Sequence, residues 1–129
     1  MKKGFTLLEI VIIIVIISLL STIALPNYMR SREILYDNQA KADLKIVVTA
    51  QQGYKIDMNT YFTPSTSVSP DAIIEINNAL GLSLPFGESR KWNYTIDSSG
   101  CTEAIRAGED ERTWHLNIND TEPTSGGCS

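Results

Sequence analysis

Residues 5–25 read FTLLEIVIIIVIISLLSTIAL, and this stretch decides how the rest of the chain is organised. Glu9 is its only charged residue. As a helix the stretch would rise roughly 31 Å, which is enough to cross the hydrocarbon core of a bilayer. The run Ile10–Ile17 is entirely β-branched and would favour a strand in water, but a lone strand in lipid leaves its backbone groups unpaired. The stretch therefore predicts a membrane-spanning helix.

Two processing schemes are open for this segment. An ordinary secretory signal is cut after its apolar region, behind small residues, and Ser21-Thr22-Ile23-Ala24 offers such a place. Against that scheme, the stretch is long for a signal, contains Glu9, and continues into a helical pattern instead of a loop. Charge alone does not orient the segment, because basic residues lie on both sides of it. These residues are Lys2, Lys3, Arg30 and Arg32.

The start of the chain resembles that of a known family. Lys2-Lys3-Gly4-Phe5-Thr6-Leu7-Leu8-Glu9, an unbroken apolar run and then Pro26 are similar to the start of type IV pilins and type II secretion pseudopilins. The resemblance is strong over the first quarter of the chain. It implies that a prepilin peptidase cuts after Gly4 on the cytoplasmic side and methylates the amino group of Phe5. A basic leader left in the cytoplasm implies that everything beyond Pro26 is exported.

Glu9 is the candidate assembly residue. A carboxylate inside an apolar helix costs a few kcal/mol unless it is paired, so such residues are functional candidates. Its partner is either the amino group of Phe5 in the same chain, one helical turn away, or that of Phe5 in a neighbouring subunit. The resemblance favours the neighbour, in which case the pair neutralises both groups and sets the axial register. Methylation is compatible with this pair because a methylated amine keeps its charge.

Pro26 predicts a kink or local unwinding near the end of the apolar run. Proline removes one helical hydrogen bond and clashes with the preceding turn. The alternative is that Pro26 only marks the exit from the membrane. Many members of the family that the chain resembles carry Gly midway along this helix, where Ser18 stands here. The resemblance favours a hinge involving Ser18 and Pro26.

Beyond Pro26 the pattern predicts an amphipathic helix that continues to about Ile56 and packs on a small domain. Apolar residues recur there at spacings of three, four and seven, and they form a stripe predicted to face the core. The stripe consists of Met29, Tyr36, Ala40, Leu44, Val47 and Tyr54. A loop is predicted over 59–70, followed by a short helix over 71–80 that Gly81 closes.

After Pro85 the period changes to two, which predicts strands over 92–96, 101–107 and 113–118. Ser98-Ser99-Gly100 and Gly108-Glu109-Asp110 are the predicted turns. We therefore expect an α+β fold, in which a long N-terminal helix packs on a three-stranded antiparallel sheet. One half of that helix spans the membrane and the other half is amphipathic.

The expected organisation follows from the leader, the apolar stretch and the patterned remainder. Residues 1–4 form the leader, 5–26 the membrane and filament-core helix, and 27–129 the exported domain. Cys101 and Cys128 are the only cysteines. In an exported, oxidising compartment they predict a disulfide, which would contribute on the order of 3 kcal/mol in the chain-entropy view. Two separate free thiols are the alternative.

Neither a metal site nor an active site is predicted. One histidine, His115, and two cysteines are too few for zinc. No nucleophile stands near His115 in a recognisable motif, so we expect neither enzymatic activity nor a cofactor. Calcium in a C-terminal loop is the alternative that oxygen-bearing side chains leave open, although their spacing does not define a cage. These side chains belong to Asn117, Asn119 and Asp120.

Charge and resemblance together define the expected partners. The net charge is −4, and removing Lys2 and Lys3 from the eleven basic residues leaves nine against fifteen acidic ones, which disfavours nucleic acid as a partner. The resemblance implies a structural subunit of a type IV pilus-like filament. Its partners would be copies of itself, other pilins, a prepilin peptidase, the membrane and an inner-membrane assembly platform.

The implied location is the bacterial inner membrane, crossed once, and then a periplasmic or cell-surface filament. The alternatives are a type II secretion pseudopilin and a minor pilin that binds DNA or a surface.

Overall fold

The computed structural model describes residues 3–67, 69–108 and 111–129. The chain forms two compact units, the first ending at Leu35 and the second running from Tyr36 to Ser129. One long helix, α1 (Leu7–Met58), contributes residues to both units. The predicted α+β class is confirmed, because the second unit combines helices with a small antiparallel sheet.

The face of α1 that lies in the second unit supplies one wall of the core. Ala40, Leu44 and Val47 are fully buried, as the helical spacing predicts. The prediction that this apolar stripe faces the core is wrong for Met29, which is 65% exposed. Met29 belongs to the first unit, and the packed core begins only where the chain reaches Tyr36.

The loop between the helices is bound to α1 by a buried amide. The side chain of Gln51 donates from Nε2 to the Phe62 carbonyl at 2.7 Å and accepts from the Phe62 amide at 2.9 Å. Helix α2 (Asp71–Leu80) has the predicted bounds and ends at Gly81, whose φ is 66°.

The second unit contains an antiparallel meander of four strands in the order β1-β2-β3-β4. Their bounds are β1 Trp92–Ile96, β2 Thr102–Arg106, β3 Thr113–Leu116 and β4 Thr124–Ser125. The turn predicted at 98–100 is confirmed by the Gly100 amide, which donates to the Asp97 carbonyl at 3.1 Å. Part of the second predicted turn, Glu109 and Asp110, lies outside the described residues.

The prediction of three strands is wrong, because β4 adds a fourth. Both β4 residues are exposed, so no apolar alternation marked them in the sequence. Backbone pairing holds the strand instead, since the Gly126 amide donates to the Thr113 carbonyl at 2.9 Å. A disulfide joins Cys128, three residues beyond β4, to Cys101, which immediately precedes β2.

Two aromatic side chains of β1 connect the sheet to α1. Trp92 and Tyr94 are each 2% exposed. The indole nitrogen of Trp92 donates to the Tyr36 carbonyl at 2.8 Å, and the Tyr94 hydroxyl donates to Asp43 at 2.5 Å. Each ring thus buries a large apolar surface while its polar atom keeps a partner.

Burial raises the pKa of Asp43 above its ordinary value of 3.8, although the hydrogen bond from Tyr94 opposes the shift. The pKa of Tyr94 is raised too, first by burial and then by the hydrogen bond and negative charge of Asp43. The folded state therefore holds the Asp43 proton more tightly than the unfolded state does. Its contribution to stability is greatest below pH 3.8 and falls as the pH rises through the folded pKa.

We expect Asp43→Asn to remove this dependence, because the amide oxygen still accepts the Tyr94 hydroxyl but carries no charge. Denaturant unfolding in detergent at a series of pH values should show the variant gaining stability relative to the wild type as the pH rises above 3.8. Glu75→Gln is the control of opposite sign, because hydrogen bonds from Ser65 lower the pKa of Glu75. That variant should lose relative stability as the pH rises towards 4.5. Parallel pH profiles for both variants would contradict the assignment.

Gly100 provides a second test of the packing. Its φ is 85°, and a Cβ placed there would lie 2.9 Å from the ring of Tyr61. Gly81 has a similar φ of 66°, but a Cβ there would meet nothing within 4 Å. Both Ala variants should lose roughly 1–2 kcal/mol from left-handed strain, and Gly100→Ala should lose about 1–3 kcal/mol more from overpacking. Equal losses in thermal unfolding would show that the Tyr61 ring moves aside without cost.

Candidate assembly site

None of the described residues covers the apolar part of α1. Its large apolar side chains between Leu7 and Leu25 range from 43% exposed at Ile13 to 83% at Leu7. By length and composition this is the one stretch among the described residues that can cross a membrane, a test that a signal sequence also passes. Surface of this kind costs free energy in water, at about 25 cal/mol for each Å². Lipid or other protein must therefore cover the stretch.

The start of α1 is capped by Thr6. The amide of Glu9 donates to Thr6 Oγ1 at 3.3 Å, and the amide of Ile10 donates to the Thr6 carbonyl at 3.2 Å. Thr6-Leu7-Leu8-Glu9 thus has the spacing of a capping box, in which the fourth residue is Glu or Gln. The negative charge of Glu9 in the first turn also favours the positive end of the helix dipole. Thr6 is not among the predicted site residues, although the Thr-x-x-Glu spacing is visible in the sequence.

Gly4 and Phe5 precede the helix and are accessible. Gly4 is exposed, a Cβ there would meet nothing within 4 Å, and Phe5 is 76% exposed. Neither residue is helical, so the bond between them lies in backbone that a peptidase can bind in an extended form. Of the rest of the predicted leader, Lys3 is described and exposed, while Met1 and Lys2 lie outside the described residues.

In this chain the nitrogen of Phe5 is part of the peptide bond to Gly4 and carries no charge. Glu9 therefore gains a cationic partner at Phe5 only after cleavage between Gly4 and Phe5. Hydrolysis of that peptide bond would create the amine, so the predicted pairing of Glu9 depends on the predicted cleavage.

The hydroxyls of the apolar stretch are satisfied inside the helix. Ser18 donates to the Ile14 carbonyl at 2.7 Å, and Ser21 donates to the Ile17 carbonyl at 2.8 Å. These bonds let hydroxyls lie on an apolar surface without open donors. Pro26 lies inside α1, where it lacks the amide that would otherwise bond to the Thr22 carbonyl.

The calcium candidates lie in a turn after β3. The Asn117 side chain donates from Nδ2 to Asp120 Oδ2 at 2.7 Å, and the Asp120 amide donates to the Asn117 carbonyl at 3.0 Å. Asn119 is exposed between them. The Asp120 carboxylate thus already accepts a hydrogen bond from within the turn.

Asp97, Cys101 and Cys128 also bring potential ligand atoms close together. The two sulfur atoms are bonded to each other, so they are not thiolates that could hold a metal. One oxygen of Asp97 accepts the amide of Ser99 at 2.8 Å and the amide of Cys101 at 3.1 Å. This group is therefore a disulfide beside a hydrogen-bonded turn.

His115 contacts the C-terminal segment. Its Nδ1 lies 2.8 Å from the Gly126 carbonyl oxygen, and its Nε2 lies 3.1 Å from Thr124 Oγ1. Both ring nitrogens are thus used in holding β4 against β3. This arrangement gives His115 a structural role.

Comparison with known proteins finds a family match at the N-terminal end of the chain. The family described as the prokaryotic N-terminal methylation motif matches residues 1–25. The type II secretion system core protein G of Aeromonas hydrophila is 36% identical over 73 residues, 57% of this chain and 50% of that protein. The chain thus spans about half the length of such secretion relatives.

Two further relatives are covered more fully. The type IV wide pilus major component PilA4 of Thermus thermophilus is 26% identical over 125 residues, which cover 95% of each chain. The competence protein ComGC of Halalkalibacterium halodurans is 32% identical over 74 residues, 57% of this chain and 72% of that protein. No solved structure shows significant similarity to the chain.

Proposed function

Because the chain belongs to the family of type IV pilins and type II secretion pseudopilins, we propose that it is a structural subunit that polymerises through α1 into an extracytoplasmic filament. The observation that carries this proposal is the exposed apolar surface from Leu7 to Leu25. Before assembly lipid covers that surface, and in the filament the helices of other copies cover it. Residues 1–4, 5–26 and 27–129 then act as leader, assembly helix and exported domain.

Bundling of several helices explains how the stretch leaves the bilayer. Each fully buried Leu or Ile side chain is worth roughly 1.5–3 kcal/mol relative to water, so a single helix cannot be extracted alone. Within lipid the same side chains give little drive for association, because lipid tails are equally apolar. Extraction therefore needs a bundle that replaces lipid on all sides, together with a polar contact that selects the register.

Glu9 supplies that polar contact in our proposal. After cleavage the methylated amine of Phe5 is positive, and Glu9 of one subunit pairs with Phe5 of the next. The pair offsets part of the cost of burying both charges, and its position in the first turn sets the axial offset between helices. Ser18 and Pro26 form a hinge in this scheme, because the missing amide at Pro26 weakens the helix locally.

The proposal implies a defined set of partners. A prepilin peptidase cuts at Gly4 and methylates Phe5, and an inner-membrane platform collects the trimmed subunits. The subunit crosses the inner membrane once before it joins copies of itself and other pilins in a periplasmic or surface filament.

A short secretion pseudopilus is the second candidate, supported by the similarity to type II secretion core protein G. Electron microscopy with an antibody against residues beyond Asn59 distinguishes the two, because only a pilus gives long decorated filaments.

The first test concerns processing. Gly4→Val should leave a full-length chain in the membrane, because a branched side chain blocks the approach to the scissile bond. Ala24→Leu is the control, since it disrupts the alternative signal site and should be trimmed normally. Mass spectrometry of the wild-type protein should give Phe5 as the first residue. A first residue near Leu25 would contradict the proposal.

The second test separates the two partners of Glu9. Glu9→Gln keeps the capping box, so the helix start is preserved and only the charge is lost. If Glu9 pairs between subunits, the neighbouring amine is left buried and unpaired at about 3–5 kcal/mol per contact. Filaments should then be absent, while insertion and trimming remain normal. The ratio of filamentous to membrane-bound trimmed protein measures this, and Glu111→Gln, an exposed carboxylate, is the control.

Normal filaments of trimmed Glu9→Gln subunits would exclude the intersubunit pair. Glu9 would then act only at the start of its own helix.

A further inference from the structure

An apolar groove lies on the second unit, beside α1 and away from the core face of that helix. It has a volume of about 440 Å³ and is lined by Lys45, Ile46, Thr49, Ala50 and Leu82. Ile46 is 51% exposed at this groove, whereas the neighbouring Val47 and Val48 are buried in the core. We call it the Ile46 groove. Among the described residues no side chain fills this groove, so its lining can accept an apolar side chain from another molecule.

The same unit displays an exposed aromatic side chain that does not line the groove. Phe86 is 50% exposed and follows Pro85, which restricts the backbone. The loop is held by Arg90, whose amide and Nη1 both donate to the Gly87 carbonyl, at 3.0 and 3.2 Å. An aromatic ring on a hydrogen-bonded loop loses little conformational entropy on binding, and such rings are frequent anchors of protein interfaces.

We propose that Phe86 of one copy inserts into the Ile46 groove of a second copy in the filament. The inference rests on the proposed function, for which it names a contact between exported domains. The ring and the groove are different surface features, so a contact that two copies do not exchange reciprocally is heterologous, and a heterologous contact that does not close produces an open polymer.

Charge complementarity supports a second copy as the occupant. Lys45 stands at the rim of the groove, and Glu88 follows the inserted ring by two residues and is exposed. Lys45 now bonds Glu122 at 2.8 Å. Both partners of that pair are largely exposed, and surface pairs of this kind contribute little, so Lys45 can exchange Glu122 for the incoming Glu88.

Gly53 provides a further argument for close approach. It lies inside α1, one turn beyond Thr49, and a Cβ there would meet nothing within 4 Å. Glycine inside a helix costs about 1 kcal/mol relative to alanine, and none of the described residues lies close enough to a Cβ at this position to require it. A neighbouring copy that lies against this part of α1 would require it.

Cross-linking of full-length subunits in filaments tests the contact. Thr49→Cys places a thiol at the groove, and Gly87→Cys places one beside Phe86, where a Cβ would meet nothing within 4 Å. The native cysteines are joined in a disulfide and do not react with a bismaleimide. Filaments of the double variant should give a ladder of covalent multimers with a short bismaleimide, and filaments of either single variant should give none.

Each other outcome overturns the proposal in a recognisable way. Intact filaments whose double variant does not cross-link would reject the contact while the proposed function stands. Dimers from Thr49→Cys alone would mean that two grooves face each other. If trimmed wild-type subunits form no filament at all, the contact and the proposed function both fail.

Removal of the ring provides an independent measurement. Phe86→Ala should lower the ratio of filamentous to membrane-bound protein roughly tenfold or more, as loss of an interface anchor does. Phe86→Leu should restore most of the filaments, because Leu still fills the groove. Ile105→Ala, which truncates an exposed apolar side chain of β2, is the control and should assemble normally. Equal filament yields from Phe86→Ala and the control would reject Phe86 as the occupant.

Discussion

Covering the apolar surface between Leu7 and Leu25 is the constraint on which the rest of the structure depends. The β-branched run Ile10–Ile17 is helical although it would favour a strand in water, because a helix satisfies its own backbone hydrogen bonds in any surroundings. The helical conformation leaves apolar side chains exposed on all sides of this stretch. The first unit therefore cannot be stable in water alone, and lipid or other subunits are part of its structure.

In the second unit the core-facing apolar side chains of α1 are buried by other parts of the same unit. Its stretch of α1 has one apolar face, and this face is covered by α2 and by β1 through Trp92 and Tyr94. Irregular segments are attached by side-chain amides that imitate backbone pairing. Gln51 binds both polar groups of Phe62, and Asn77 binds both polar groups of Leu84. Such bonds satisfy half-buried loop backbone without adding strands.

In the candidate assembly site, the charge partner proposed for Glu9 depends on a chemical change at the preceding residues. Thr6 caps the helix, Glu9 sits in its first turn, and the amine that would neutralise Glu9 does not exist until the bond after Gly4 is cut. A subunit with its leader attached thus lacks the charge partner that, in our proposal, selects register. Under that proposal cleavage must precede polymerisation, because only a cleaved subunit would have the amine that pairs with Glu9 of its neighbour.

The sequence by itself determined the long helix, α2 with its closing Gly81, and the bounds of β1, since these elements follow from local periodicity and capping. It also predicts Gly4, Phe5 and Glu9 as processing and assembly residues, because an isolated charge in an apolar run is visible without a fold. Tertiary structure alone decided β4, the exposure of Met29, and the proximity of Ile46 to Leu82. These features depend on contacts between residues far apart in the chain, and neither Thr124–Ser125 nor the lining of the groove carries a local pattern that would reveal them.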